Sequence, residues 1–293
     1  MRYDRHRFVR AADDTRLFVG VAGEGELSVV LNDGIGCEGF VWRYLHPHLA
    51  EHHRVLHWHY RGHGRSGPPL DRTRLTIESL ADDLRRVLDA EHVEKAILIG
   101  HSMGTQVNLE TYRLIPDRVA GLVFVCGSWG RVTHTFHGSD VLSQILPIAR
   151  EQARKHRGFA RALWGRIPAG VAYRVARLSG EVDAVTIREE DFKNYWDHIA
   201  VMDPDVFLQL LEAAGEHSAE DLLGEIRAPS LVIAAERDTF TPAELAEQMA
   251  ERIGCDLFMI RGGSHAAPVE QPMTVQLRVD KYLHTHFASR TSS

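Results

Sequence analysis

At 293 residues the chain is long enough for one large domain, or for one domain carrying an insertion, built around a sizeable core. Its three cysteines, Cys37, Cys126 and Cys255, lie far apart without any C-x-x-C spacing, which argues against both a disulfide framework and a zinc ribbon. A formal charge of −6 with no basic stripe argues against a nucleic-acid partner. The charged start Met1-Arg2-Tyr3-Asp4-Arg5-His6-Arg7 precedes no apolar leader, and no run reaches eighteen apolar residues, so the expectation is a soluble cytoplasmic protein acting on a small molecule, with no membrane contact.

Two short strands are expected between His6 and Val21, around Asp13-Asp14. A third, from Leu27 to Leu31, runs into the glycine-rich turn Asn32-Asp33-Gly34-Ile35-Gly36, which can present backbone N–H groups to a ligand. Trp42, Leu45 and Leu49 recur at helical spacing, with Pro47 shortening that helix. Val55 to Tyr60 reads as the next strand and Arg61-Gly62-His63-Gly64-Arg65-Ser66-Gly67-Pro68 as a dense loop. Ile77, Leu80, Leu84, Val87 and Leu88 then form a helical stripe. Alternating strands and helices imply a parallel sheet.

The apolar run Ala96 to Ile99 stops at Gly100-His101-Ser102-Met103-Gly104. This is a G-x-S-x-G sequence between a buried strand and a helix that ends at Pro116, the setting in which a sharp turn lifts a serine above a sheet edge. Another strand, Val119 to Val125, ends at Gly127-Ser128-Trp129-Gly130. From Arg131 to Glu225 helical patterns replace the alternation, so this stretch reads as an inserted helical cap. The strand pattern resumes at Ser230 to Ala235, before Asp238. Thr241-Pro242-Ala243-Glu244 reads as a capped helix start, with Thr241 as N-cap. Leu257 to Ile260 is the last strand and Gly262-Gly263-Ser264-His265 its exit loop. A closing helix carries Val275, Val279, Tyr282 and Leu283.

Activating a serine hydroxyl takes a base, and orienting the base takes a carboxylate, both in loops at strand exits beside the nucleophile. Asp238 and His265 stand at two such exits, and the order Ser102, Asp238, His265 is the one found on α/β sheets with a G-x-S-x-G elbow.

With these residues in place, the chain resembles the α/β-hydrolase fold superfamily, in particular its single-chain esterases and lactonases. The resemblance rests on Gly100 to Gly104, Arg61 to Ser66, Glu236-Arg237-Asp238-Thr239-Phe240-Thr241-Pro242, and Gly262 to His265 with Glu270-Gln271-Pro272 behind it. It implies a mostly parallel eight-stranded sheet flanked by helices. The core would comprise residues 1–130 and 226–293, and a cap of residues 131–225 would follow the sixth strand. It implies Ser102 as nucleophile, His265 as base, Asp238 as its orienter, and the backbone N–H groups of Ile35 and Met103 as an oxyanion hole, without metal or organic cofactor. Many members carry His-Gly where this chain has Asp33-Gly34. The serine at the elbow, in place of the aspartate of haloalkane dehalogenases and epoxide hydrolases, points to an acyl-enzyme formed from a small-molecule ester or lactone. Thioesterase activity, cofactor-free haloperoxidase or perhydrolase activity, and a non-catalytic receptor on the same fold are the alternatives. Oligomeric state is not readable.

Three further features have competing readings. Seven histidines, His46, His48, His52, His53, His57, His59 and His63, fall within eighteen residues, yet no metal-ligand motif accompanies them, so hydrogen-bonded or solvated roles are expected. Eight cations between Arg150 and Arg177 against Glu151 alone would guide an anionic substrate such as an acyl-CoA, or else form a solvated face paired with Glu181, Asp183, Glu189, Glu190 and Asp191. Trp129 and Phe240 are the expected apolar pocket walls, while Trp164, Trp196 and Met202 serve either the pocket or the core of the cap.

Overall fold

The computed structural model describes residues 1–131, 133, 141–166, 168–179 and 187–288. The first two strands, β1 (Arg5–Arg10) and β2 (Arg16–Ala22), form a hairpin, and β3 (Ser28–Asn32) follows. Pro47 falls within the short helix α1 (Leu45–Ala50), which leads into β4 (Arg54–Trp58) and α2 (Ile77–Ala90). Next come β5 (Ala96–His101), α3 (Met103–Leu114) and β6 (Val119–Val125). After the insertion the chain completes β7 (Ser230–Ala235), and α9 (Ala243–Ile253) precedes β8 (Asp256–Ile260). The turn α10 (Ala267–Glu270) and the closing helix α11 (Pro272–Phe287) follow. The strand order is β1-β2-β4-β3-β5-β6-β7-β8, antiparallel through β1, β2 and β4 and parallel from β4 onward. Apart from the edge hairpin this is the expected sheet.

Strands β3 and β5 are buried at every position, which is why they read as unbroken apolar runs. Their side chains alternate between two layers. Ala96 and Leu98 join the layer that holds Leu80, Leu84 and Val107, whereas Ile97 and Ile99 join the one that holds Leu49, Val275 and Val279. On α2 the buried stripe contains one carboxylate, Asp83, which accepts two hydrogen bonds of 2.7 Å from Arg61; the Arg61 side chain is itself fully buried and also donates to Asp13 at 3.1 Å. Removing one partner leaves the other charged and unmatched in the interior, at a cost of roughly 3–5 kcal/mol. Arg61→Ala is therefore expected to lower the melting temperature by roughly 10 °C. A variant melting within about 2 °C of the parent would show that water reaches Asp83 and relieves the charge.

Between β6 and β7 the described residues form α4 (Val141–Lys155), α5 (Arg157–Leu163), α6 (Ala169–Ser179), α7 (Glu189–Val201) and α8 (Pro204–Glu216). The two ends of this excursion are stitched side by side. Gly130 and Ser218 form a β-bridge, Arg131 N–H donates to the His217 carbonyl, and Ala219 N–H donates to the Trp129 carbonyl, both at 2.9 Å. Val206, Leu210 and Ala214 of α8 are buried in the α2–α3 layer, so that helix is anchored while α4 and α5 lie farther out. No helix among the described residues is long and apolar enough to cross a membrane.

Candidate active site

The elbow at Ser102 is made by close packing of backbone. Ser102 has φ 54° and ψ −120°, a conformation that L-residues rarely adopt and that costs about 1–3 kcal/mol. Glycines flank it because a Cβ on Gly100 would lie 2.3 Å from the Gly104 carbonyl oxygen, and one on Gly104 would lie 2.3 Å from that of Asn32. The Ser102 N–H donates to the Val125 carbonyl at 3.1 Å, which fixes the turn to β6. Half-buried, Ser102 sits at the N-terminus of α3, where the helix dipole favours negative charge.

The three residues expected to act together are brought together. His265 Nε2 lies 3.0 Å from Ser102 Oγ, and His265 Nδ1 lies 2.8 Å and 3.0 Å from the two carboxylate oxygens of Asp238. Asp238 is buried. One of its oxygens accepts the N–H groups of Phe240 and Thr241 at 2.9 and 2.8 Å, and the other accepts the Thr241 hydroxyl at 2.8 Å. Thr241 is thus not the N-cap of α9, a place taken by Pro242 without a side-chain bond. The Thr241 hydroxyl donates to the buried carboxylate instead of lying over the first turn of the helix.

The loop of His265 is held from behind. Glu270 accepts the Ser264 N–H at 3.0 Å and the Ser264 hydroxyl at 2.6 Å, and His101 Nε2 donates to the His265 carbonyl at 3.0 Å. Burial, with a contribution from His265, pushes His101 down to about 3 and keeps it neutral. The nearby thiols do not compete as nucleophiles, since burial pushes both Cys37 and Cys126 well up.

The β3 exit loop faces the elbow. A Cβ on Gly34 would stand 3.1 Å from the Ser102 Cβ, so the chain just before Ile35 presses against the serine. Among the described residues neither the Ile35 nor the Met103 N–H meets a protein acceptor. Asp33 turns away from the elbow. Its Oδ2 accepts from Gly39 N–H at 3.0 Å and from His57 Nε2 at 2.8 Å, and the Tyr3 hydroxyl supports His57 Nδ1 at 2.7 Å. Tyr60 donates to the Asp33 carbonyl at 2.8 Å.

The two expected pocket walls part company. The Phe240 ring stands 4.8 Å from the His265 ring, whereas Trp129 packs into the core layer that holds Ala246 and Met249, its ring 5.9 Å from the Arg252 guanidinium near the far end of α9. The sharp turn at Cys126, where φ is 45°, precedes this inward course. Trp164 donates from Nε1 to the Ile199 carbonyl at 2.7 Å and packs on Phe207. Trp196 stacks on Phe192, and Met202 is buried in the core.

The clustered histidines are mostly structural. His48 pairs with Asp280 at 2.8 Å, His59 Nδ1 accepts Arg65 N–H at 2.8 Å, and burial pushes His46 down to about 4 and His63 down to about 3. Among the described residues no group of three or more histidine, cysteine, aspartate or glutamate side chains is arranged to hold a metal ion. The cap cations are largely paired, more with α8 than with the acids just downstream. Arg157 meets Asp205 at 3.3 Å, Arg161 meets Asp203 at 2.7 Å, and Arg150 pairs with Glu212. Asp191 is taken by Arg43 and Arg188, while Glu181, Asp183 and the Arg177 side chain lie outside the described residues. A cleft of about 980 Å³ lies to one side, between the N-terminal segment and α7, lined by Arg2, Glu38, Arg43, His46, Tyr195 and His198 among others.

A parallel sheet that gathers an elbow serine, a histidine and a carboxylate at one edge defines the α/β-hydrolase class. The family described as alpha/beta hydrolase fold matches residues 28–272, and the chain belongs to it. Among curated proteins it is 28% identical over 261 residues to a protein of Azorhizobium caulinodans provisionally named carbamate hydrolase RutD, covering 88% of this chain and 91% of that one. It is 26% identical over 243 residues to the karrikin insensitive 2 receptor CA of Petunia hybrida, covering 80% and 83%. Among solved structures, a thermophilic esterase from Thermogutta terrifontis superposes with a TM-score of 0.77 at 22% identity, covering 97% of this chain and all of that one, a likeness of fold.

Proposed function

We propose that this chain is a serine hydrolase that cleaves a carboxylic ester or lactone of a small molecule through an acyl-enzyme. The observation that carries the reading is the unbroken hydrogen-bonded line from Asp238 through His265 to Ser102 Oγ at a strained, half-buried elbow. As Ser102 Oγ attacks the carbonyl carbon, His265 Nε2 takes its proton, and Asp238 stabilises the imidazolium and holds its Nδ1–H. Negative charge gathers on the former carbonyl oxygen and is met by the N–H groups of Ile35 and Met103, each worth roughly 10²–10³ in rate. Collapse of this intermediate breaks the C–O bond, and His265 returns the proton to the departing alkoxide, which in a lactone stays tethered. Water, deprotonated by His265, then attacks the acyl carbon, and as the bond from that carbon to Ser102 Oγ breaks, His265 returns the proton to the serine. Phe240 beside His265 supplies an apolar wall, and the helices after β6 act as a cap that sets substrate size.

A fluorophosphonate is expected to attach once per chain, to Ser102, and to block ester hydrolysis in the same proportion. Ligand binding with no labelling of Ser102 would favour the alternative suggested by the receptor-named relative, a pocket that recognises without turning over.

A further inference from the structure

His198 lies on α7, far along the chain from the triad, yet its buried imidazole bridges two core loops. Its Nδ1 donates to the Gly36 carbonyl at 2.7 Å, and its Nε2 accepts the Gly64 N–H at 2.9 Å. Gly36 is gripped on its other side too, since its N–H donates to His63 Nε2 at 3.1 Å while His63 Nδ1 donates to the Arg61 carbonyl at 3.2 Å. Each of these backbone N–H groups takes a ring Nε2 as its acceptor, so in both rings Nδ1 carries the donated hydrogen; the Glu38 carboxylate lies 3.5 Å from His198 Nε2. Ile199 and Phe207 close over the same spot, 3.0 and 3.1 Å from where a Cβ on Gly36 would be. Packing alone asks for no imidazole here. Over Gly62 the insertion uses a Val206 methyl, 2.8 Å from the place of a Cβ. A buried ring nitrogen is costly unless bonded, and both nitrogens of His198 are bonded to backbone, Nδ1 at Gly36, next to Ile35, the proposed oxyanion donor, and Nε2 at Gly64 of the loop after β4.

We propose that His198 is a positioning residue, a latch by which the insertion holds the Gly34–Gly36 backbone against Ser102. The inference rests on the serine-hydrolase reading. Loss of the latch lets the Ile35 N–H drift from the developing oxyanion, and a displacement of this kind costs up to about 10²-fold in rate. His198→Phe keeps the ring and removes both hydrogen bonds. His198→Asn keeps a donor where Nδ1 stood. On p-nitrophenyl acetate the Phe variant is expected to lose about 10²-fold in kcat with KM within about threefold of the parent, and the Asn variant to recover at least tenfold of that loss. Rates are taken per site titrated by fluorophosphonate, beside thermal melts. Parental kcat in the Phe variant, a loss confined to KM, or an Asn variant no faster than Phe would overturn the latch. If the Phe variant melts below the assay temperature, Asn against Gln decides, because Gln does not place a donor at the Nδ1 position; equal kcat values overturn the proposal. Ser102→Ala run in parallel separates the two readings. Its retention of activity sinks the serine-hydrolase site itself, whereas a dead Ser102→Ala beside an unaffected His198→Phe sinks only the latch.

Discussion

Ser102→Ala and His265→Ala are each expected to lower kcat by a factor on the order of 10⁴ to 10⁶, and the double variant to lose nearly the same, not the product. The reason is geometric. With His265 Nε2 3.0 Å from Ser102 Oγ, the hydroxyl has its base only while both residues stand, so removing either abolishes the same step. What survives comes from ground-state binding and from oxyanion donors acting on attack by water. Steady-state kinetics of the three variants on one activated ester decide the matter. Losses that multiply in the double variant would mean that the two residues act in separate steps.

Asp238→Asn is the second large effect, a loss of roughly 10⁴ in kcat with the fold retained. The asparagine oxygen can still accept the Phe240 and Thr241 N–H groups, but its amide then presents N–H to His265 Nδ1. Nδ1 must become the acceptor, the proton moves to Nε2, and the ring no longer offers a base to Ser102. The same exchange removes the acceptor of the Thr241 hydroxyl, a local and smaller loss. The expected signature is a collapsed kcat with a melting temperature close to the parent's. A near-parental rate would place the orienting carboxylate elsewhere, and Glu270, clamped to Ser264, would be the next to test.

That Ser102, Asp238 and His265 come together is legible in the chain because strand exits leave a strong linear mark. An apolar run that stops at glycine is visible, and parallel pairing of β5, β6, β7 and β8 carries their exits to a common edge. The mostly parallel sheet and the helices after its sixth strand are legible in the same alternation, whereas the spatial order of the strands is not. Side-chain cross-links between loops leave no such mark. Nothing in the spacing tells that Glu270 grips Ser264, that Thr241 serves Asp238 and not a helix end, or that Asp33 faces His57. Adjacency to a strand end is all that the sequence shows of Trp129, and its side chain packs into the core. For the histidine cluster, sequence shows density but not burial, so it leaves hydrogen-bonded and solvated roles undivided. Burial is what keeps His63 and His101 neutral and turns them into fixed hydrogen-bonding parts.

The backbone at Ser102 carries a consequence for how this protein trades stability against activity. The serine occupies a conformation, φ 54° and ψ −120°, that glycine reaches without strain and alanine does not. Elsewhere glycine is the less stable of the two by roughly 0.5–1 kcal/mol, because it has more freedom to lose on folding. At this position the order should invert, with Ser102→Gly melting above Ser102→Ala and both inactive; the ordinary order would mean that the turn is relaxed. On the serine-hydrolase reading, drift towards a sturdier chain would favour a residue that cannot attack a carbonyl, and selection for turnover would be what holds the strained serine in place.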